Sequence, residues 1–191
     1  MTFLLVALVV IVAPGPDFAL TVRNAVTRGR RAGLATAAGV VTGQTLWVLA
    51  TAAGLVAILL ASQTVFTALR LAGAAYLVYL GLSALRHAWR GVEHEAPRRL
   101  PVSSPYAQGL VSNLSNPKIA VFFASVLPQF GSTFGALAGH GLAFAALTLA
   151  WLALVARAGS ALRAPFVRRT IDAVTGVVLT ALGVDLAATR R

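Results

Sequence analysis

Ala13-Pro14-Gly15-Pro16-Asp17 interrupts an apolar run that starts at Phe3 and resumes with Phe18, Ala19, Leu20 and Val22 before the first arginine, Arg23. Read whole, the stretch is one membrane span with a fault in its middle. Each proline lacks an N–H and biases the residue before it away from the helical region, so a helix continued through them would leave carbonyls that lipid cannot satisfy. The reading predicts a helix that stops and restarts. Pro16 is then the first residue of a new half-helix, and Asp17, in its first turn, meets the positive end of that helix's dipole. An ionisable group near the bilayer centre marks a functional site by default.

Composition sets the class. The chain is 58% hydrophobic and 11% charged, with a mean hydropathy of +0.82, against about 25% charged residues in soluble domains. It reads as an all-α integral membrane protein whose partner is the lipid bilayer. The net charge of +11 does not indicate nucleic acid, because the arginines fill the gaps between apolar runs instead of coating a soluble core. With no cysteine, disulfides and thiolate metal sites are excluded. Lys118 is the single lysine. The N-terminal run has neither a basic lead nor a small-x-small site after it, so it reads as a span and not as a signal peptide.

About six spans follow along the chain: 2–24, broken at Pro14; 33–60; 65–85; 106–127; 135–155; and 171–188. Ser62 and Gln63 mark a tight turn, and the polar segment 86–105 is a linker between a first repeat (about 1–85) and a second (about 106–191), within one transporter domain. Arginine clusters in three connections: Arg28, Arg30 and Arg31; Arg86, Arg90, Arg98 and Arg99; and Arg157, Arg163, Arg168 and Arg169. The other two connections hold none. Those three loops are therefore cytoplasmic, which puts both termini outside, with only Arg190 and Arg191 opposed. Two halves of three spans are then inverted relative to each other. Pro16-Asp17 corresponds to Pro117-Lys118, each midway through the first span of its half, and Gly81 corresponds to Gly183. Breaks at matching places in two halves point to a transporter's binding site.

Several motifs together resemble the LysE/RhtB family of amino-acid exporters: Pro14-Gly15-Pro16-Asp17, the spaced Gly29, Gly33, Gly39 and Gly43, the Gly73-Ala74-Ala75-Tyr76-Leu77 segment ending in Gly81, Asn116-Pro117-Lys118, and Leu127-Pro128-Gln129-Phe130. The resemblance covers nearly the whole length. It implies a small cytoplasmic-membrane efflux protein, driven by the proton gradient and needing no cofactor, that exports amino acids such as lysine, arginine, threonine, homoserine or leucine. Arg70, where the family pattern expects lysine, and Asp185, where a neutral residue is usual, depart from it and leave the substrate open.

A zwitterionic substrate needs a cation-like partner for its carboxylate and an anion for its ammonium. N–H groups at the starts of the half-helices at Pro16 and Pro117 suit the carboxylate, and Asp17 takes the ammonium or a proton. Alternatively, Asp17 is a helix cap tied to Lys118. Asn113 and Asn116, spaced i, i+3, face either the substrate or the carbonyls freed by the break, and Gln44 lines the cavity. Gly39 and Gly43 let two helices approach, within the monomer or across a homodimer. Arg70 snorkels or gates, Asp172 forms a surface ion pair with Arg168 and Arg169, and Asp185 is hydrated. His87, His94 and His140 show no spacing for a metal. Two rival classes stand beside the exporter: a carrier of metal or another small cation, which calls for several oxygen or sulfur ligands, and a membrane enzyme, which calls for an acid or base partner that the spans lack.

Overall fold

The computed structural model describes residues 3–61, 63–90, 104–131, 133–158 and 165–188, and every regular element among them is helical. α1 (Phe3–Val12) and α2 (Pro16–Arg28) are the two pieces of the first broken span, followed by α3 (Arg30–Ala61) and α4 (Gln63–Arg90). α5 (Pro105–Leu114) and α6 (Pro117–Val121) form a second broken pair. α7 (Phe134–Ala158) and α8 (Pro165–Ala188) complete the chain. Proline opens four of these helices, at Pro16, Pro105, Pro117 and Pro165. At that position the missing N–H costs nothing and the fixed φ favours the helix. Between α2 and α3 the chain turns on Gly29 alone, whose φ of 87° is the left-handed backbone that glycine adopts without penalty.

Among the described residues, three helices are long and apolar enough to cross a membrane alone: α3, α7 and α8. The pair α1/α2, and α5 together with the segment Pro117–Phe130, pass the same test jointly, bent by 52° and 49°. Counting each bent pair as one span, that makes up to five among the described residues by length and composition. α4 is helical throughout but less apolar, since it carries Arg70, Arg86, His87 and Arg90. The second broken pair restarts at Pro117 as expected, but not as a regular helix throughout: after α6 the backbone widens into a π-helical turn, Phe122–Val126, and then tightens into a 3₁₀ turn, Leu127–Phe130, which contains Pro128. The linker 91–103 with His94, together with Ser62, Arg163, Arg190 and Arg191, lies outside the described residues, as do the side chains of Arg70 and Arg168.

α3 packs on α5 and α7, and α4 on α8, with glycines at the crossings. A methyl group at Gly39 would fall on the Tyr106 carbonyl and within 2.9 Å of Leu110 N, and one at Gly109 would fall on the Thr36 carbonyl. These glycines therefore serve helix contacts inside the monomer. On the far side Gly81 faces Thr180 and the Gly176 carbonyl, while Gly183 faces Val78 and the Ala74 carbonyl. The second set is the first with the two halves of the chain exchanged, at one constant register. The core between the broken helices is aromatic, with Phe122 and Phe144 stacked at 4.2 Å and Phe123 edge-on to both.

One expected surface group is inside. Asp172 is buried at 2% exposure on α8 and not at the surface where the reading put it, whereas Asp185 is exposed.

Candidate site at the crossing of two broken helices

The site begins with hydrogen bonds that proline removes. In an unbroken helix the Val10 carbonyl would accept from residue 14 and the Val12 carbonyl from residue 16, but both are prolines. Ala13 N still bonds Val9 O at 3.0 Å, and there α1 stops. One of these orphaned acceptors, Val10 O, is met from the other half of the chain, together with the neighbouring Ala13 O. Lys118 Nζ donates to Val10 O at 3.1 Å and to Ala13 O at 2.9 Å. Its ammonium sits at the negative end of α1, where the dipole favours a cation.

The second broken pair repays the contact. Asp17, at the start of α2 and 8% exposed, accepts from Ser112 Oγ at 2.7 Å on one carboxylate oxygen. On the other it accepts from Asn113 Nδ2 at 2.8 Å and Asn116 Nδ2 at 3.2 Å. Each break is thus clamped by the residue that follows the proline of the other. Asp17 and Lys118 form no ion pair; neutral amides, a hydroxyl and carbonyls satisfy them separately.

The two asparagines do not share one helix face as their spacing suggested. Asn113 lies in the last turn of α5, while Asn116 sits in the break itself as N-cap of α6, its Oδ1 accepting from Lys118 N at 3.1 Å. Both still converge on Asp17. α2 has no capping side chain: its N-cap is Gly15, in extended backbone. Gly15 has a steric reason, because a methyl there would stand 3.2 Å from Lys118 Nζ.

A small cavity of about 20 Å³ lies at the crossing, bounded by Val10, Ala13, Asp17, Gln44, Lys118 and Thr148 with an apolar wall that includes Phe18 and Phe144. It has room for about one water, so an amino acid enters only if the helices part. Gln44, 1% exposed, donates from Nε2 to Thr148 Oγ1 at 3.2 Å, but its Oε1 has no partner. The indole N–H groups of Trp47 and Trp151 and the Asn113 Oδ1 are likewise buried without a partner. Beyond Asp17 on the same face of α2, Asn24 donates to Thr36 Oγ1 at 2.8 Å and Gln108 Oε1 at 3.0 Å, tying α2, α3 and α5 together. Pro14, Gly15, Pro16, Asp17, Gln44, Asn113, Asn116, Pro117 and Lys118 therefore lie at or beside one crossing. Ser112, Thr148 and the Asn24–Thr36–Gln108 link were not singled out from sequence. His140 is elsewhere, its Nδ1 2.8 Å from Ala136 O and its ring against Phe3.

A helical membrane protein with discontinuous helices crossing at buried polar groups has the build of a transporter. The chain belongs to the LysE type translocators, whose family model matches residues 8–190. It is 33% identical over 208 residues to the threonine efflux protein of Escherichia coli K12, covering 100% of this chain and 99% of the relative. It is 32% identical over 211 residues, with the same coverage, to the threonine efflux protein of Salmonella typhimurium. An uncharacterised membrane protein of Pseudomonas aeruginosa is 34% identical over 170 residues, covering 86% of this chain and 76% of the relative. No solved structure matches. The protein is a translocator of this family and not an enzyme.

Proposed function

We propose that the chain exports a small zwitterionic amino acid, of the kind the threonine efflux relatives are named for, across the cytoplasmic membrane in exchange for protons. The site is the crossing of the two broken helices, with Pro14, Gly15, Pro16 and Pro117 shaping the breaks and Asp17, Gln44, Asn113, Asn116 and Lys118 as its polar groups. Its carrying observation is the reciprocal clamp: Asp17 on Ser112, Asn113 and Asn116, and Lys118 on the Val10 and Ala13 carbonyls. Opening such a clamp exposes an anion, a cation and the first-turn N–H groups of α2 to the same cavity, which matches the charge pattern of an amino acid. Asp17 is the one carboxylate lining that cavity, so a proton taken up there is the natural coupling event.

The architecture proposed with it has six spans, α4 being the third, and two inverted halves with both termini outside. The exchanged contacts of Gly81 and Gly183 support the inversion, as does Gly15 standing to Lys118 as Asn116 stands to Asp17. Glycines that meet neighbours within the chain give a homodimer no support.

Efflux from cells loaded with threonine and with other neutral amino acids, alongside the amount of protein in the membrane, tests the reading. Asp17→Asn keeps the shape but loses charge-assisted hydrogen bonds worth roughly 1.5 to 3 kcal/mol each. Export should fall at least about tenfold, the equivalent of 1.4 kcal/mol, with insertion retained. Export at the normal rate with the usual dependence on the proton gradient would show that Asp17 is only a clamp.

A further inference from the structure

Lys118 reaches backwards over 108 residues to Val10 O and over 105 to Ala13 O, and finds no carboxylate there. Two backbone carbonyls at the negative end of a helix, one deprived of its usual donor by Pro14, are a receptor for an N–H-bearing cation. We propose that the Val10 and Ala13 carbonyls are the ammonium subsite of the transport cycle and that Lys118 is its tethered occupant, displaced by the α-ammonium of the substrate. This inference rests on the amino-acid export reading and assigns a place within it.

Four observations converge. The carbonyls and Lys118 line the same cavity as Asp17, Gln44 and Thr148, so a group arriving in the cavity arrives beside them. Gly15 leaves the approach to Nζ open. Every other fixed cation in the chain is arginine, whereas this position carries the compact charge on a flexible stem, which can leave a two-carbonyl seat and return where a planar fork could not. Finally, Asp17 already has donors on both carboxylate oxygens, so the incoming ammonium has a seat that does not require stripping them.

The exchange keeps charge balanced at every stage. One ammonium replaces another on the carbonyls, and the freed Lys118 ammonium pairs with the carboxylate that the same substrate brings. When the substrate leaves, Lys118 resumes the seat and resets the empty carrier. Asp17 is left to take the coupling proton.

Lys118→Ala removes the fragment that propylammonium supplies. Purified Lys118→Ala should melt at a higher temperature with propylammonium chloride and regain a sizeable part of its efflux from proteoliposomes. Tetramethylammonium, equal in charge but without an N–H, should do neither, and wild type should respond to neither salt. A second variant works in the intact protein: Gly15→Ala places a methyl 3.2 Å from Nζ, crowding the tether. It should lower KM for the exported amino acid severalfold while also lowering kcat, because the competitor for the seat and the reset step are weakened together. A melting temperature of Lys118→Ala that neither salt moves, or that both move equally, overturns the proposal. So does a Gly15→Ala variant with unchanged or raised KM, which decides the matter if Lys118→Ala cannot be purified folded. If wild-type liposomes export no amino acid while propylammonium still stabilises Lys118→Ala, the export reading falls and the cation seat stands.

Discussion

Gln44 carries an amide oxygen that is buried and unpaired, while its amide nitrogen is held by Thr148. Burying such an acceptor costs about 1 to 3 kcal/mol, and the one hydrogen bond kept returns only about 0.5 to 1.5. Leucine of nearly the same volume should therefore be tolerated: Gln44→Leu should melt within about 1 kcal/mol of wild type, with Thr148 still bonded to the Phe144 carbonyl. Export by Gln44→Leu should nevertheless fall, measured as efflux per folded transporter, because the cavity loses its polar wall. Equal efflux would make Gln44 interhelical glue. Asp17 and Lys118 could be found from sequence because a charge stands out in an apolar run. Ser112 and Thr148 could not, since a hydroxyl in a membrane helix can satisfy itself on the carbonyl four residues back, as Thr21 does on Asp17 O at 2.7 Å. Only the neighbouring helix reveals which hydroxyls are also spent on a partner. Asp172 was misplaced for the same reason: its flanking arginines suggested a surface, and the rotation of α8 buries it.

The helices themselves were legible where proline or glycine marks them. Pro16 and Pro117 start half-helices as read, and Gly39 lies at a backbone crossing. The uneven winding after Val121 was not legible, because Phe122, Phe123, Val126 and Leu127 all face the core and an apolar run looks the same at any pitch. Two glycines separate crossing from filler. Gly39→Ala drives a methyl onto the Tyr106 carbonyl, and overpacking of this kind costs about 1 to 3 kcal/mol. It should lower the amount of folded protein and the melting temperature. Gly139→Ala, with nothing within 4 Å of the added methyl, should be neutral or stabilise by up to about 1 kcal/mol through helix propensity. The measurement is thermal unfolding of both purified variants. Similar behaviour of the two would remove the α3–α5 contact from the account.

Across the whole molecule, the arginine-bearing connections predict an orientation that reporter fusions can test. Fusions after Ala61 and after Gly131 should report the outside, and fusions within 91–103 the cytoplasm. A linker found outside would reverse the halves and end the inverted-repeat proposal. The clamp has a further consequence, in time. The groups that hold Asp17 lie 95, 96 and 99 residues further along the chain. At roughly 5 to 20 residues per second, the ribosome delivers them about 5 to 20 s after Asp17 itself. Over that interval the N-terminal break lacks Ser112, Asn113, Asn116 and Lys118, so its carboxylate must keep its water and its loose carbonyls must stay wet. The first half therefore enters the bilayer with an open seam, and the arrival of Ser112 and Asn113, more than the completion of its own helices, lets that seam dry and close.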